Sequence, residues 1–260
     1  MDKSLKHHKI LSVKVASTTH TEVLNVVKNS LKKRKHSAKP LFITTPNPEI
    51  VVKSQNDSEL LVALNEADIA LPDGVGIIYA SKFLGLKLRE RISGREMFEE
   101  MLELANKKRL KVFLLGGTSE VNKDALEKIS KKYPKVKTKG SADIQINNKG
   151  YSVSERDRKR HIEILDTINV QKPDLLFVAL GAPKQEKWAL HNLDSLDVKV
   201  VMVVGGAFDY FAGKMSKPPA LFARLGLEWL WRVLLEPTRI KRILNAVVVF
   251  PYLVLVDRFR

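Results

Sequence analysis

The stretch Lys111-Val112-Phe113-Leu114-Leu115-Gly116-Gly117-Thr118 decides the fold. Its apolar run is short and unbroken, and it stops on two glycines just before a helical pattern that opens at Ser119. A run of this kind reads as a strand buried on both faces rather than one with a wet side. Four further segments read as strands, namely Leu41–Thr45, Ile69–Leu71, Asp174–Leu180 and Lys199–Val204. Between the strands lie amphipathic helical patterns, among them Glu96–Lys107, Ser119–Lys132 and Glu155–Val170. Strand and helix in alternation imply an α/β fold with a mainly parallel sheet and helices on both of its faces.

Outward from that centre, Asn147–Tyr151 carries Asn-Asn-Lys-Gly and reads as a surface turn. No internal repeat or long linker interrupts the pattern, so residues 1–213 are expected to form one α/β domain. Ser216-Lys217-Pro218-Pro219 then opens a mainly helical appendage over 214–260, with prolines tolerated in a first helical turn and a break at Glu236-Pro237. This tail combines Trp229, Trp231, Phe250, Tyr252 and Phe259 with recurring arginines, a composition suited to a lipid interface. It is equally suited to packing on the core, and the two are compatible.

The 260 residues suffice for a sizeable core, and 44% hydrophobic with 28% charged residues is a globular composition. With no cysteine, disulfides and thiolate metal sites are excluded, in keeping with a reducing compartment. Met1 to Lys9 is charged and leads into no apolar stretch of the signal-peptide kind. The nearest approach to the roughly 20 apolar residues of a spanning helix is Ile243–Val256, which is shorter and contains Asn245 and Pro251. The net charge of +16 sits at the ends: residues 1–39 hold ten Lys/Arg against two Asp/Glu, and 214–260 hold nine against three. Basic ends suit anionic lipid or nucleic acid on charge alone, and also a merely solvated face.

Three strands run into glycine turns that open helices, at Gly116-Gly117, Gly181-Ala182-Pro183 and Gly205-Gly206. In an open parallel sheet such turns gather at the strands' carboxyl ends, where ligands bind and helix N-termini favour anions. A tight turn also needs glycine for its own sake, so each alone says little. Together they point to a nucleotide-type ligand. Asp73, in Leu71-Pro72-Asp73-Gly74, follows a strand and suits a general base, or only a Pro-Asp-Gly turn. Thr45 and Asn47 suit helix capping, with Pro48 opening the helix. No Asp-x-Asp pair occurs, and the six histidines show no metal spacing. A leaving diphosphate would therefore be held by arginines or helix N-termini, with Arg232, Arg239 and Arg242 as candidates. Their spacings of seven and three share a helix face only if Pro237 allows it.

As an ordered set these segments resemble a known family. Thr45-Pro-Asn-Pro-Glu-Ile-Val, Ala-Leu-Asn65-Glu-Ala-Asp, Leu-Pro-Asp73-Gly-Val-Gly and Glu90-Arg-Ile-Ser-Gly come first. Phe-Leu-Leu-Gly116-Gly, Leu-Gly181-Ala-Pro-Lys-Gln185-Glu, Val-Gly205-Gly-Ala-Phe-Asp209-Tyr and Arg224-Leu-Gly-Leu-Glu-Trp-Leu follow. The chain resembles the WecG/TagA/CpsF glycosyltransferases from about Lys9 to Arg242. That resemblance implies a Rossmann-like α/β domain with a C-terminal helical appendage that closes over the site and rests on the membrane. It implies transfer of N-acetylmannosamine from UDP-N-acetylmannosamine to N-acetylglucosamine on undecaprenyl diphosphate, the first step of the wall teichoic acid linkage unit. Relatives use N-acetylmannosaminuronic acid or hexoses instead.

By position, Asp73 matches the proposed catalytic base, and Thr45, Asn47 and Gln185 match pocket-lining polar residues. Arg91 matches the arginine of the Glu-Arg-x-x-Gly motif, and Arg232, Arg239 and Arg242 match the diphosphate arginines. Gly116, Gly117, Gly181, Gly205, Gly206 and Asp209 fall on the nucleotide side. After Arg242 the chain departs from the common pattern, with Ile243 where an aromatic is frequent.

The expectation is a metal-independent, inverting UDP-sugar transferase that needs no cofactor. It would be cytoplasmic and peripherally attached to the inner face of the cell membrane, with self-association left open. Its partners would be the UDP-sugar donor, a polyprenyl-diphosphate-linked sugar acceptor and an anionic membrane surface, with no nucleic acid. The rivals are a nucleic-acid-binding module, motivated by charge alone, and a non-catalytic nucleotide-sugar-binding protein of the same fold.

Overall fold

The computed structural model of the protein describes residues 5–33, 38–142, 144–216, 219, 222, 230–231 and 240–259. The chain opens with β1 (His7–Ile10) and β2 (Val13–Ala16), followed by α1 (His20–Lys33), β3 (Leu41–Thr44), α2 (Pro48–Ser54), α3 (Ser58–Glu66), β4 (Ile69–Ala70) and α4 (Val75–Phe83). Next come α5 (Gly94–Lys108), β5 (Lys111–Gly116), α6 (Ser119–Lys132), β6 (Lys137–Ser141) and α7 (Glu155–Gln171). The sheet and its helices close with β7 (Leu175–Ala179), α8 (Lys184–Asn192), β8 (Val200–Val203) and α9 (Ala207–Ala212). At the C-terminus α10 (Ile240–Leu244) runs through a π-helical turn (Asn245–Val249) into α11 (Phe250–Arg258).

Six strands form one sheet in the order β4-β3-β8-β7-β5-β6, and every pairing in it is parallel. The unbroken apolar runs work as read, because successive side chains leave opposite faces. Val112 and Leu114 of β5, Leu175 and Phe177 of β7, and Val200 and Met202 of β8 enter a core built with α1, α5, α6 and α9. Their neighbours Phe113, Leu115, Leu176, Val178, Val201 and Val203 enter the core on the other face, with α7 and α8. All five strand readings correspond to strands of this sheet.

Three strands escaped the sequence reading, β6 and the two of the β1–β2 hairpin. β6 is Lys-Thr-Lys-Gly-Ser on the sheet edge, where half-exposed positions leave no apolar run. The β1–β2 hairpin is turned by Leu11 and Ser12, both at positive φ. Its buried residues Ile10, Val13 and Val15 join a third core with α2, α3 and α4. Asn65 fastens it: Oδ1 accepts from Lys14 N at 2.7 Å and Nδ2 donates to Ser12 O at 3.1 Å.

The C-terminal helix belongs to that third core. Phe250 and Val254 are 2% and 3% exposed and pack with Ile50, Val51, Ile77 and Ala80. The opposite side of the same helical stretch leaves Ile240, Leu244, Val248, Tyr252, Leu255 and Phe259 exposed. Among the described residues no helix is long and apolar enough to cross a membrane.

Candidate active site

Parallel strands end at one edge, and the loops after β3, β4, β5, β7 and β8 enclose a single open cleft of about 510 Å³ there. Each loop contributes side chains for a local reason. Asn47 caps α2, its Oδ1 accepting from Ile50 N at 3.0 Å, and Pro48 supplies the first turn, as its sequence position implied. Asp73 leaves the end of β4, its backbone N donating to Pro46 O at 3.1 Å, and its Oδ2 accepts from Gly94 N at 3.2 Å. That N–H opens α5, so the carboxylate faces the positive end of a 15-residue helix. Gly94 has no room for more: a Cβ there would stand 2.9 Å from Thr45 Cγ2.

Thr45, Asn47, Asp73 and Gln185 therefore line one cleft, together with Gly117, Gly181, Gly205, Gly206 and Asp209. Gly116 is different. A Cβ on it would stand 2.5 Å from the Ala179 carbonyl oxygen, so this glycine lets β5 approach β7 and stays out of the lining. Gly181 and Gly205 face open space, where a Cβ would meet nothing within 4 Å. Arg242 reaches the cleft from α10, with Nε donating to Glu49 Oε1 at 2.8 Å. Arg232 and Arg239 lie outside the described residues. Arg91 is not in the lining and pairs with Glu96 at 3.4 Å.

Several lining residues had stood inside or just beside the quoted motifs without being singled out. Arg95 follows Gly94 and lies over the Tyr210 ring, 4.9 Å from its centroid. Lys184 and Thr118 flank the glycine turns, and Thr118 caps α6 through Val121 N at 3.2 Å. Glu49 accepts from Lys53 Nζ at 2.6 Å as well as from Arg242. Burial pushes its acidity one way, and those two cationic hydrogen bonds more than offset it, holding Glu49 below the usual carboxylate range.

Among the described residues no three His, Asp or Glu side chains converge on a point that would hold a metal ion. Among the described residues the cations that reach the cleft are Arg95, Lys184 and Arg242, and the N-terminus of α8 opens on it without a side-chain cap. The arrangement is an open cleft at the carboxyl edge of a parallel sheet, the usual place for ligands in such folds, with the Asp73 carboxylate and three cationic side chains in its lining.

This chain belongs to the glycosyl transferase WecG/TagA/CpsF family, whose model matches residues 8–260. It is a glycosyltransferase, as the enzyme reading of the sequence expected. It is 36% identical over 204 residues to an N-acetylglucosaminyldiphosphoundecaprenol N-acetyl-beta-D-mannosaminyltransferase of Bacillus subtilis (strain 168), covering 78% of this chain and 75% of that one. A protein of the same name from Bacillus spizizenii is 35% identical, with 80% and 76% covered. Another of that name, from Staphylococcus aureus (strain MRSA252), is 34% identical over 243 residues, with 94% and 90% covered.

Proposed function

We propose that this glycosyltransferase moves N-acetylmannosamine from UDP-N-acetylmannosamine to N-acetylglucosaminyl-diphospho-undecaprenol, inverting the anomeric carbon, as the first step of a wall teichoic acid linkage unit. The observation that carries the mechanism is the meeting of Asp73 with the glycine turns in one cleft. Asp73 acts as general base on the acceptor hydroxyl while that oxygen attacks the anomeric carbon and the bond to UDP breaks. The charge growing on the diphosphate falls to Arg242, Lys184 and the α8 N-terminus, with Arg232 and Arg239 contributing by their place in the family motif. Thr45, Asn47 and Gln185 hold the sugars, while Gly117, Gly181, Gly205, Gly206 and Asp209 border the nucleotide; Arg91, paired with Glu96 outside the lining, takes no direct part. Gly116 supports that border from behind, by the close strand contact it permits.

The acceptor's polyprenyl chain stays in a bilayer, so the cleft must reach the membrane surface. The exposed stripe from Ile240 to Phe259 supports peripheral attachment at the cytoplasmic face. The tail's nine Lys/Arg against three Asp/Glu add attraction to anionic lipid of about 1 kcal/mol for each charge near the surface. The 1–213 domain is then the catalytic body, and 214–260 the part that meets lipid.

The deciding experiment measures turnover with a short-chain lipid acceptor and a panel of UDP-sugars, alongside UDP binding by calorimetry. Asp73→Asn should lower kcat by roughly 100- to 10,000-fold and leave UDP affinity within a few-fold. Turnover close to wild type in that variant removes Asp73 from the mechanism.

A further inference from the structure

Directly after Gln185, α8 carries a carboxyl group that the chemistry above does not use. Glu186 is 0% exposed. Its Oε1 accepts from Gln185 Nε2 at 2.9 Å, and its Oε2 is buried with no hydrogen-bond partner among the described residues. Gln185 is itself only 1% exposed, yet it borders the cleft. Its Oε1 accepts from Gly205 N at 3.1 Å, and its backbone N donates to Gly181 O at 3.0 Å. Gln185 thus joins the turn after β7, through its backbone N–H, to the turn after β8, through its side-chain oxygen.

An amide has two ends of nearly equal shape, and only its neighbours decide which end points where. The Gly205 N–H can only donate, so it demands the Gln185 oxygen. The Gln185 nitrogen must then find an acceptor in a place closed to water, and Glu186 Oε1 is that acceptor. With both ends assigned, Gln185 Nε2 keeps one further N–H to offer.

We infer that Glu186 is a positioning residue for the transfer, fixing the Gln185 amide and, through it, the Gly205–Gly206 turn against the sugar nucleotide. The inference rests on the reading that Gln185 contacts the donor. A carboxyl group is a costly way to fill this space. Burial pushes Glu186 up to about 7, only partly offset by the Gln185 hydrogen bond and by Lys53. An apolar side chain of similar length would fold as well or better. A purely structural role would make that replacement harmless, whereas a positioning role separates folding from activity.

The test compares Glu186→Met, Glu186→Gln, Gln185→Ala and the Gln185→Ala/Glu186→Met pair by melting temperature and by kcat and KM for UDP-N-acetylmannosamine. Glu186→Met should melt at or above the wild-type temperature while kcat/KM falls roughly 10- to 100-fold. Glu186→Gln, which keeps a carbonyl acceptor, should recover most of that loss. The double variant should be no worse than Gln185→Ala alone, because both act through one amide.

Wild-type kinetics in Glu186→Met beside a defective Gln185→Ala overturn the inference and leave the proposed function standing. Unchanged kinetics in Gln185→Ala overturn it together with the place given to Gln185. If the methionine variant does not fold, a folded but inactive Glu186→Gln overturns it equally.

Discussion

Phe250 offers a test of whether the C-terminal helix is part of the catalytic apparatus. Its ring is 2% exposed and sits against the start of α4, where a Cβ added at Gly76 would stand 3.9 Å from Phe250 Cε1 and 2.6 Å from Pro48 Cγ. Pro48 opens α2 beside Asn47, and α4 opens beside Asp73, so this one ring docks α11 on the roots of two cleft loops. Truncating a buried Phe to Ala costs about 3–5 kcal/mol where the cavity cannot collapse. The body retains its other two cores, so the loss should fall mainly on the docking of α10 and α11. At about 3 kcal/mol the docked population falls by a factor of about 150 relative to the undocked one.

Hydrogen exchange measures this directly. In Phe250→Ala the amides of residues 250–258 should lose about 100-fold of their protection while those of β5, β7 and β8 keep theirs. Turnover should fall in step, because Arg242 reaches the cleft from the same helix. Unchanged exchange in α11, or an equal loss across the central strands, refutes a separately docking helix. Normal turnover despite the lost protection refutes its part in the site.

Other outcomes follow from the same geometry. Excess EDTA should leave turnover unchanged in the lipid-acceptor assay, and complete loss would overturn a diphosphate held by cationic side chains and helix ends alone. Replacing Val248, Tyr252 and Leu255 with serine should release the protein from phosphatidylglycerol vesicles in a sedimentation assay while leaving its melting temperature intact; undiminished binding refutes the exposed stripe as the lipid contact. Glu186 is raised from 4.5 to about 7, so the folded state holds its proton longer than the unfolded chain does. Its share of stability is therefore fully present below pH 4.5 and is lost as pH rises through about 7, by roughly 3 kcal/mol at most. Denaturant unfolding of wild type and Glu186→Met should diverge across that window in favour of the variant, and a difference flat with pH refutes the shift.

Local sequence was sufficient for much of this molecule because the signals concerned were local. Unbroken apolar runs such as Val112–Leu115 and Leu175–Val178 need two buried faces, which only a covered parallel sheet supplies. Pro48 after Asn47 marked a helix start, and glycine turns after β5, β7 and β8 marked the edge where the cleft lies. The edge strand β6 and the hairpin β1–β2 carried no such run, since a strand half in water or turned after four residues lacks the pattern.

Tertiary structure alone decided the rest, because the deciding contacts join residues far apart in the chain. Gly116 and Gly181 read alike in sequence, and only the β5–β7 approach separates a packing glycine from one that faces the cleft. Arg91 stands in a motif beside Asp73 yet pairs with Glu96, outside the lining. Glu49 and Arg242, 193 residues apart, become one ion pair only when α10 and α11 settle on α2. The carboxyl of Glu186 looks like any surface acid on a short helix until β7 and β8 bring their two turns together around Gln185. Composition and periodicity report whether a residue is buried on average, and three-dimensional packing determines what it is buried against.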